Sequence, residues 1–473
     1  MYIREMKLHN FKGFSGDHKF TFSKGINFLI GNNNCGKTTI FRAVEFLQNG
    51  GDKDNFINKD KTEDYVSVEV EIVGDNLKDF IENASDVNIK KYKSAIIDNG
   101  DCTFSIKMIR SSDDTKKIKV YIPDQKKYEN ITGIDKAIKV LFDAQFVYSD
   151  LNNNDYQDFG KTKIIGRLID GALSSFRDSE EWKEFRKAHE RAFGENGLES
   201  QLINLEQEIS RTLRDQYGEG ALRIRFDLPA IDSFSKAGSL QLEDSGGLTD
   251  VSDKGTGMQR ALALSLIQVY ASSNSSDTER PIFFFIDEPE TFLHPMAQDR
   301  LLDSLEGLSS KSQLFITTHS PYLLKKFKKN THKMMIYGKD KDGNNELRDE
   351  GQTLNLFGES SPTWGEINYS AFGVLSVEFH NELYGFLQAK AIEENEKNYK
   401  EAGFDQWLVS KGVVKKKDYT RLGGKGPCNK HKLTLPTYIR NLVHHPENTH
   451  NERYSNDELR ESIEEMIEIM QKA

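Results

Sequence analysis

Apolar positions along this chain follow three textures, and each predicts a different element. Tyr2–His9, Lys19–Phe22 and Ile26–Gly31 read as strands, followed by a helix over Lys37–Gln48 that Gly50-Gly51 stops. Tyr65–Val73 alternates with period two, as a half-buried strand does, and Thr103–Ile109 and Lys117–Ile122 repeat the pattern. Together they predict an antiparallel flank on the first half of the chain. From Ile164 to Tyr217 the spacing turns helical and highly charged, and strand character returns at Leu222–Leu228. Gly238–Gly257, rich in small residues, leads into a predicted helix at Ala261–Ala271. Ile282–Ile286 and Leu314–Thr318 carry the third texture, unbroken apolar runs that mark parallel strands covered on both faces. After about Gly338 helical spacing takes over at Glu378–Lys397 and Ser455–Lys472, around a basic, glycine-broken stretch Lys411–Pro436. The chain therefore reads as α/β: a core with a parallel central sheet and an antiparallel β flank, divided between 1–160 and 221–340, a short helical insertion at 161–220, and a mostly helical C-terminal domain at 341–473.

Gly31-Asn32-Asn33-Asn34-Cys35-Gly36-Lys37-Thr38 fills every position of G-x-x-x-x-G-K-[ST], between an apolar strand and a predicted helix. Phosphates are bulky hydrated anions. Holding them needs inward-turned backbone N–H groups, which glycines permit, and the positive end of a helix. Residues Gly31 to Thr39 are thus the candidate phosphate cradle, with Lys37 reaching the β- and γ-phosphates and Thr38 offering its hydroxyl to Mg²⁺. The second apolar run ends in Asp287-Glu288-Pro289-Glu290. Carboxylates delivered to the C-terminal end of a buried strand suit the ligand-binding edge of an α/β sheet. Asp287 is the candidate Mg²⁺ ligand, and Glu288 the candidate general base that orients the attacking water. ATP and Mg²⁺ are the implied cofactors.

Asp287-Glu288-Pro289, followed by Glu290-Thr291-Phe292-Leu293-His294-Pro295, resembles the Walker B and D-loop region of ABC-type ATPases, above all their OLD-like and SMC-like branch. Leu8–Phe14 resembles the opening strand and turn of that group. The resemblance implies an ABC-type P-loop ATPase core. Under it, Thr317-Thr318-His319-Ser320-Pro321 corresponds to the switch-histidine motif, whose imidazole contacts the γ-phosphate. Gly255-Thr256-Gly257-Met258-Gln259 corresponds to a degenerate signature motif, with Met258 departing from the usual second glycine. Gln145 falls where a Q-loop glutamine could lie and equally reads as a polar residue at a strand edge. A signature motif completes the site of a facing protomer, so the resemblance implies a head-to-tail homodimer, or a larger ring, closed around ATP.

Only 220 residues separate Lys37 from Gly257, room for a short hairpin and not for the long coiled-coil arms of the SMC and DNA-repair relatives. Asp340-Lys341-Asp342 has the acid spacing of a Toprim nuclease, but Gly343-Asn344-Asn345 makes it a turn. What remains resembles the stand-alone OLD-like ATPase subunits of bacterial antiphage systems, the PARIS ATPase first and the Septu or retron-linked ATPases second. That implies a sensor or scaffold which holds a separately encoded effector nuclease and releases it on meeting a phage trigger.

Composition adds limits. The 473 residues are 37% hydrophobic and 29% charged, with a net charge of −10, so no strongly basic nucleic-acid footprint is present overall. The local runs Lys325–Lys329 and Lys415–Lys417 read first as solvated surface. No apolar run approaches a membrane span, Met1–Glu5 lacks a signal-peptide core, and Cys35, Cys102 and Cys428 cannot build a disulfide framework; a cytoplasmic location is the expectation. Arg440-Asn441-Leu442-Val443-His444-His445 has the R-N-x-x-x-H frame of HEPN ribonucleases, and also suits a helix C-terminus where imidazoles face the dipole. A ribonuclease acting through Arg440 and His445 under ATPase control, and a DNA-repair-type ATPase, stay open as alternatives. Cys428, His431, His444, His445 and His450 cluster in sequence at a spacing irregular for zinc.

Overall fold

The computed structural model describes residues 1–62, 64–114, 117–149, 164–194, 196–217, 220–228, 233, 236, 238–244, 246–273, 280–291, 293–324, 327–348, 354–423 and 426–472. They divide into two units, 1–149 with 280–473, and 150–279.

The larger unit holds two sheets. The first is antiparallel: β1 (Tyr2–His9), β2 (Asp17–Thr21), β4 (Ser67–Gly74), β5 (Ile97–Asp98), β6 (Phe104–Ser111), β7 (Ile118–Ile122) and β8 (Lys127–Glu129) run in the order β2-β1-β4-β6-β7-β8, with β5 beside β6. Its alternation sorts side chains by face. Val68, Val70, Ile72, Ile106 and Met108 are buried, whereas on the other face Arg4 donates to Glu71 at 2.9 Å and Lys7 to Glu69 at 2.9 Å across the strands. The second sheet contains β3 (Ile26–Gly31), β9 (Asp143–Val147), β12 (Ile282–Asp287), β13 (Gln313–Thr318), β14 (Lys333–Lys339) and β15 (Asn345–Arg348), in the order β15-β14-β3-β13-β12-β9. Every pairing is parallel except that of β15 with β14. Strands β3, β12 and β13 are buried at all positions, as their unbroken apolar runs require.

The helix Thr39–Asn49 joins the two sheets. Phe41 meets Phe285 of β12 at 5.4 Å between ring centroids, and the far end of the helix accepts a hydrogen bond from Arg110 of β6 at the Leu47 carbonyl, 2.9 Å. Buried Gln313 is a second tie. Its side chain accepts from Ile3 N–H and donates to the carbonyls of Ile3 and Ser23, each at 2.8 Å, so one amide locks the start of β13 to β1 and to the turn before β3.

Besides helices Leu77–Asn83, Val87–Lys90, Ile134–Leu141 and Pro295–Ser309, this unit has a C-terminal part. Helices Trp364–Phe372, Val377–Glu394, Glu401–Ser410, Leu435–His444 and Asn456–Lys472 surround a second apolar core that includes Phe379, Leu383, Phe404, Ile439, Ile463 and Met466. Trp364 packs on Tyr322, just past β13, at 5.4 Å between ring centroids. The stretch Lys411–Pro436, read from sequence as a basic, broken segment, contains an antiparallel hairpin of β16 (Lys415–Gly423) and β17 (Gly426–Thr434). It lacks apolar alternation because ion pairs fasten it: Lys415 to Asp405 at 2.7 Å, Lys416 to Glu461 at 2.6 Å, and Lys417 to Glu458.

The smaller unit contains helices Ile164–Arg177, Glu180–Phe193, Leu198–Gln201, Ile203–Tyr217 and Thr256–Ser273 and the hairpin of β10 (Gln241–Asp244) with β11 (Gly247–Asp250). The strand expected at Leu222–Leu228 is not formed. The backbone N–H groups of Leu222, Ile224 and Phe226 do alternate like a strand's, but they donate to the side chains of Ser210, Glu206 and Glu199 at 2.8, 2.6 and 3.2 Å. Helix side chains take the place of a neighbouring strand.

Two outcomes are expected. Gln313→Ala removes three hydrogen bonds at a buried junction and is expected to cost about 2–3 kcal/mol, read as a lowered denaturant midpoint at unchanged m-value; an unmoved midpoint contradicts the role given to this amide. His380, fully buried beside Ser462 at 3.0 Å, has its imidazole pushed by burial from 6.5 down to about 4. The unfolded chain then binds the proton first, so stability is lost as pH falls between those values, by up to about 3 kcal/mol. His380→Gln is expected to flatten that part of the stability–pH curve, and an unchanged slope would show that another group causes it.

Candidate active site

In a parallel sheet the chain leaves every strand at the same edge. Here the register is tight: Tyr337 of β14 pairs with Gly31 of β3, Ile30 with Thr318 of β13, and Thr317 with Asp287 of β12. The segments that follow Gly31, Asp287 and Thr318 therefore emerge side by side, although they are remote in sequence. They form one wall of a cleft of about 710 Å³, lined by Asn33, Asn34, Gly36, Lys37, Thr38, Thr39, Asp287, Glu288 and His319 among others.

The loop after β3 needs glycine at two places. A Cβ on Gly31, whose φ is +140°, would lie 2.3 Å from the Tyr337 carbonyl. One on Gly36, at φ +91°, would lie 2.4 Å from Asn345 Nδ2. Asn34 also takes a left-handed φ of +63°, which asparagine tolerates. The Asn32 carbonyl accepts from Cys35 Sγ at 2.8 Å, closing the loop on itself. Thr38 caps the following helix by backbone alone, and its hydroxyl makes no capping hydrogen bond.

Lys37 is buried, and its Nζ donates to the carbonyls of Gly31 and Asn32 at 3.1 and 3.0 Å and to His319 Nε2 at 2.8 Å. Burial lowers the lysine pKa; the neighbouring Cys35, Glu288 and Asp287 pull it back up. His319 is lowered as well, first by burial and then by the Lys37 charge, so the imidazole is neutral and accepts at Nε2. Glu288 Oε1 stands 3.3 Å from that same nitrogen.

The acids are held by hydroxyls. Thr317 Oγ1 donates to Asp287 Oδ1 at 2.5 Å and accepts from the Glu288 N–H at 3.0 Å, so one side chain fixes both. Ser149 Oγ donates to Asp287 Oδ2 at 2.8 Å. Glu288 is at φ +44°, a left-handed conformation costing a β-carbon residue about 1–2 kcal/mol, kept in place by the Thr317 bonds.

Gln145 sits within β9 and donates to Asp143 at 2.9 Å; it is not among the described residues lining the cleft. Ser149, just past that strand, is the residue that reaches the acid pair, and a lone serine carries no sequence signal. Lys12, Asn58, Lys339 and Asn345 also line the cleft and were not singled out from sequence as site residues. Lys12 alone had a signal, the Leu8–Phe14 likeness. Gly255, Thr256 and Gly257 belong to the smaller unit and stand at the start of the helix Thr256–Ser273, where Gln259 Nε2 donates to the carbonyls of Ser252 and Lys254 at 3.2 and 2.6 Å.

Among the other candidates, Asp340–Asp342 forms a turn in which Asp340 accepts from the N–H groups of Asp342 and Asn344. Arg440 lies on the helix Leu435–His444 and donates to Asn441 at 3.2 Å, while His445 caps that helix with its Nδ1 3.2 Å from Glu447. Among the described residues no group of three or more His, Cys, Asp or Glu is placed to hold a metal ion, and no helix is long and apolar enough to cross a membrane. Lys325, Lys326 and Phe292 lie outside the described residues, as does the side chain of Cys428.

These residues fit a metal–triphosphate group. A buried ammonium whose hydrogen-bond partners are two carbonyls and a neutral imidazole has no anionic hydrogen-bond partner, and a helix N-terminus without a side-chain cap stands beside it. A free hydroxyl and an anchored carboxylate, Thr38 and Asp287, are the oxygen donors that a hard divalent cation takes.

Comparison with known proteins agrees. Residues 26–325 match the family described as "AAA domain, putative AbiEii toxin, Type IV TA system", and the chain belongs to that family. It is 30% identical over 315 residues to the Old nuclease of Escherichia phage P2, covering 63% of this chain and 53% of that protein. It is 23% identical over 413 residues to Endonuclease GajA of Bacillus cereus (strain HuB5-5), covering 68% of this chain and 58% of that one. The chain thus spans about half the length of the curated relatives it matches. A crystal structure of the Smc head bound to the C-winged helix domain of ScpA aligns over 74% of this chain and 97% of that one, at 16% identity and a TM-score of 0.42. The chain is thus an AAA-domain protein with an α/β P-loop core.

Thr317→Val keeps the shape of a buried side chain and removes the hydroxyl shared by Asp287 and Glu288. ATP turnover is expected to fall about 10-fold or more, with the melting temperature little changed. Unchanged turnover would show that the acid pair does not depend on this anchor.

Proposed function

We propose that this AAA-domain family member binds Mg²⁺–ATP in the cleft at the C-terminal ends of β3, β13 and β12 and hydrolyses it. The observation that carries the reading is the meeting of Lys37, Asp287, Glu288 and His319 within one cleft, with Lys37 and Glu288 both against His319 Nε2. Gly31, Asn32, Asn33, Asn34, Cys35 and Gly36 would turn backbone N–H groups toward phosphate, with Thr38 and Thr39 opening the helix behind them. Lys37 would exchange its carbonyl partners for phosphate oxygens. Thr38 and Asp287 would hold Mg²⁺, whose charge offsets that of the phosphates when bound. Glu288 would orient a water and take its proton, and His319 would face the terminal phosphate.

For a larger role, the support is the resemblance of the motifs to stand-alone ATPase subunits, together with the nuclease relatives. The two relatives described above are named as nucleases, and this chain spans about half the length of each. We infer that it works in the cytoplasm as the ATPase part of an antiphage system. Two copies would pair head to tail, each presenting Gly255, Thr256 and Gly257 to the other's nucleotide. The assembly would act as a sensor and scaffold that holds a separately encoded effector nuclease and lets it go on meeting a phage trigger.

Lys37→Ala is expected to weaken ATP retention about 10- to 100-fold by calorimetry or equilibrium dialysis. Glu288→Gln is expected to retain ATP, hydrolyse it at least about 100-fold more slowly, and accumulate as a dimer by light scattering. Wild-type turnover in Glu288→Gln would remove this residue as the base; a monomer with ATP trapped would remove the head-to-tail pairing.

A further inference from the structure

Glu290 is two residues past the proposed base, and nothing above gives it a task. It is 8% exposed, unusual for a carboxylate in a turn. Its Oε1 accepts three hydrogen bonds, all from the end of β13: Thr318 Oγ1 at 2.6 Å, His319 N–H at 3.0 Å and Ser320 N–H at 3.1 Å. Its Oε2 is buried with no hydrogen-bond partner among the described residues. Burial of this kind disfavours the ionised form, and the net direction of its pKa is upward despite the donated bonds. Such a costly group is retained in a fold where its one satisfied oxygen does something specific.

We propose that Glu290 is a positioning residue for His319: its buried carboxyl fastens the turn that carries Asp287 and Glu288 to the backbone of the histidine segment, and so sets where the imidazole stands. The two ends of that segment show why a fastening is needed. The His319 ring has its Nε2 between Lys37 Nζ at 2.8 Å and Glu288 Oε1 at 3.3 Å. Its backbone has left the β13 ladder, which ends at Thr318, so the N–H groups of His319 and Ser320 have no strand to pair with. Glu290 accepts from both, and Ser320 N–H also donates to Thr318 Oγ1 at 2.9 Å, a hydroxyl that itself donates to Glu290. Ser320 Oγ adds a second tie, donating to Gln298 of the helix Pro295–Ser309 at 2.8 Å. The β12 and β13 ends thus move as one body, with the base and the histidine in fixed relation. Glu290 does not line the cleft, so its structural route to the site runs through the His319 segment, beside a through-space effect of its charge on Lys37 and Glu288.

This inference rests on His319 belonging to the ATP site, and a double-mutant cycle separates the two. Steady-state ATPase and ATP retention are measured for wild type, His319→Ala, Glu290→Ala and the double variant, with Glu290→Gln as the conservative form. His319→Ala and Glu290→Ala are each expected to lower kcat about 10- to 100-fold while ATP retention stays within about threefold. The double variant is expected to be no slower than the slower single, because both remove one function. Glu290→Gln, which keeps the acceptor oxygen, is expected to restore most of kcat. Losses that multiply, or wild-type kcat in Glu290→Ala beside a slow His319→Ala, overturn the positioning role alone. Wild-type kcat in His319→Ala overturns the reading of the histidine and this inference with it. If Glu290→Ala does not fold, Glu290→Asp, which withdraws the acceptor by one methylene, takes its place in the same cycle and is judged by the same outcomes.

Discussion

The parallel register of β14, β3, β13 and β12 is the constraint on which the rest depends. Each strand end pairs with its neighbour at Tyr337–Gly31, Ile30–Thr318 and Thr317–Asp287. A loop, an acid pair and a histidine therefore come out at one edge. A register shifted by one residue would turn these strand-end side chains to the opposite face of the sheet. The register is in turn fixed by burial. Three strands with no exposed position cannot slide without exposing apolar side chains, and Gln313 pins the opposite end of β13 to β1.

At that edge the electrostatics are finely poised. Lys37 is held by carbonyl dipoles and a neutral imidazole, with no carboxylate among its hydrogen-bond partners, while Glu288 and Asp287 act on its charge from further off. The Glu288 carboxyl approaches the same imidazole nitrogen, at 3.3 Å. Groups arranged in this way are anchored from behind, by Thr317 and Ser149 on Asp287 and by Glu290 on the histidine segment. Preorganised dipoles and anchored carboxylates need little rearrangement when a charged ligand arrives.

Much of this was legible in the sequence, for a physical reason. A phosphate loop and an acid pair are short and contiguous, and each hangs on a fully buried strand whose apolar run is plain. What escaped is what depends on contacts between distant segments. Ser149 and Asn345 matter only because the sheet order brings them to the cleft. Gln145 drew notice by its place in the chain, where a Q-loop glutamine or a strand-edge polar residue reads equally, and its side chain bonds Asp143 of the same strand. The hairpin β16–β17 showed no alternation because its lysines are paired by acids on other elements. Leu222–Leu228 showed alternation but finds side-chain acceptors in place of a strand.

The residues at Gly255–Gly257 belong to a separate unit of the chain. The central claim concerns the cleft, and its most direct test is a crystal structure of the wild-type chain grown with Mg²⁺ and a non-hydrolysable ATP analogue. Triphosphate lying against the loop Gly31–Thr38, with Lys37 withdrawn from His319 and a metal ion between Thr38 and Asp287, is the result that follows from this geometry. Nucleotide bound elsewhere, or a cleft that stays closed by the Lys37–His319 contact at saturating analogue, would contradict it.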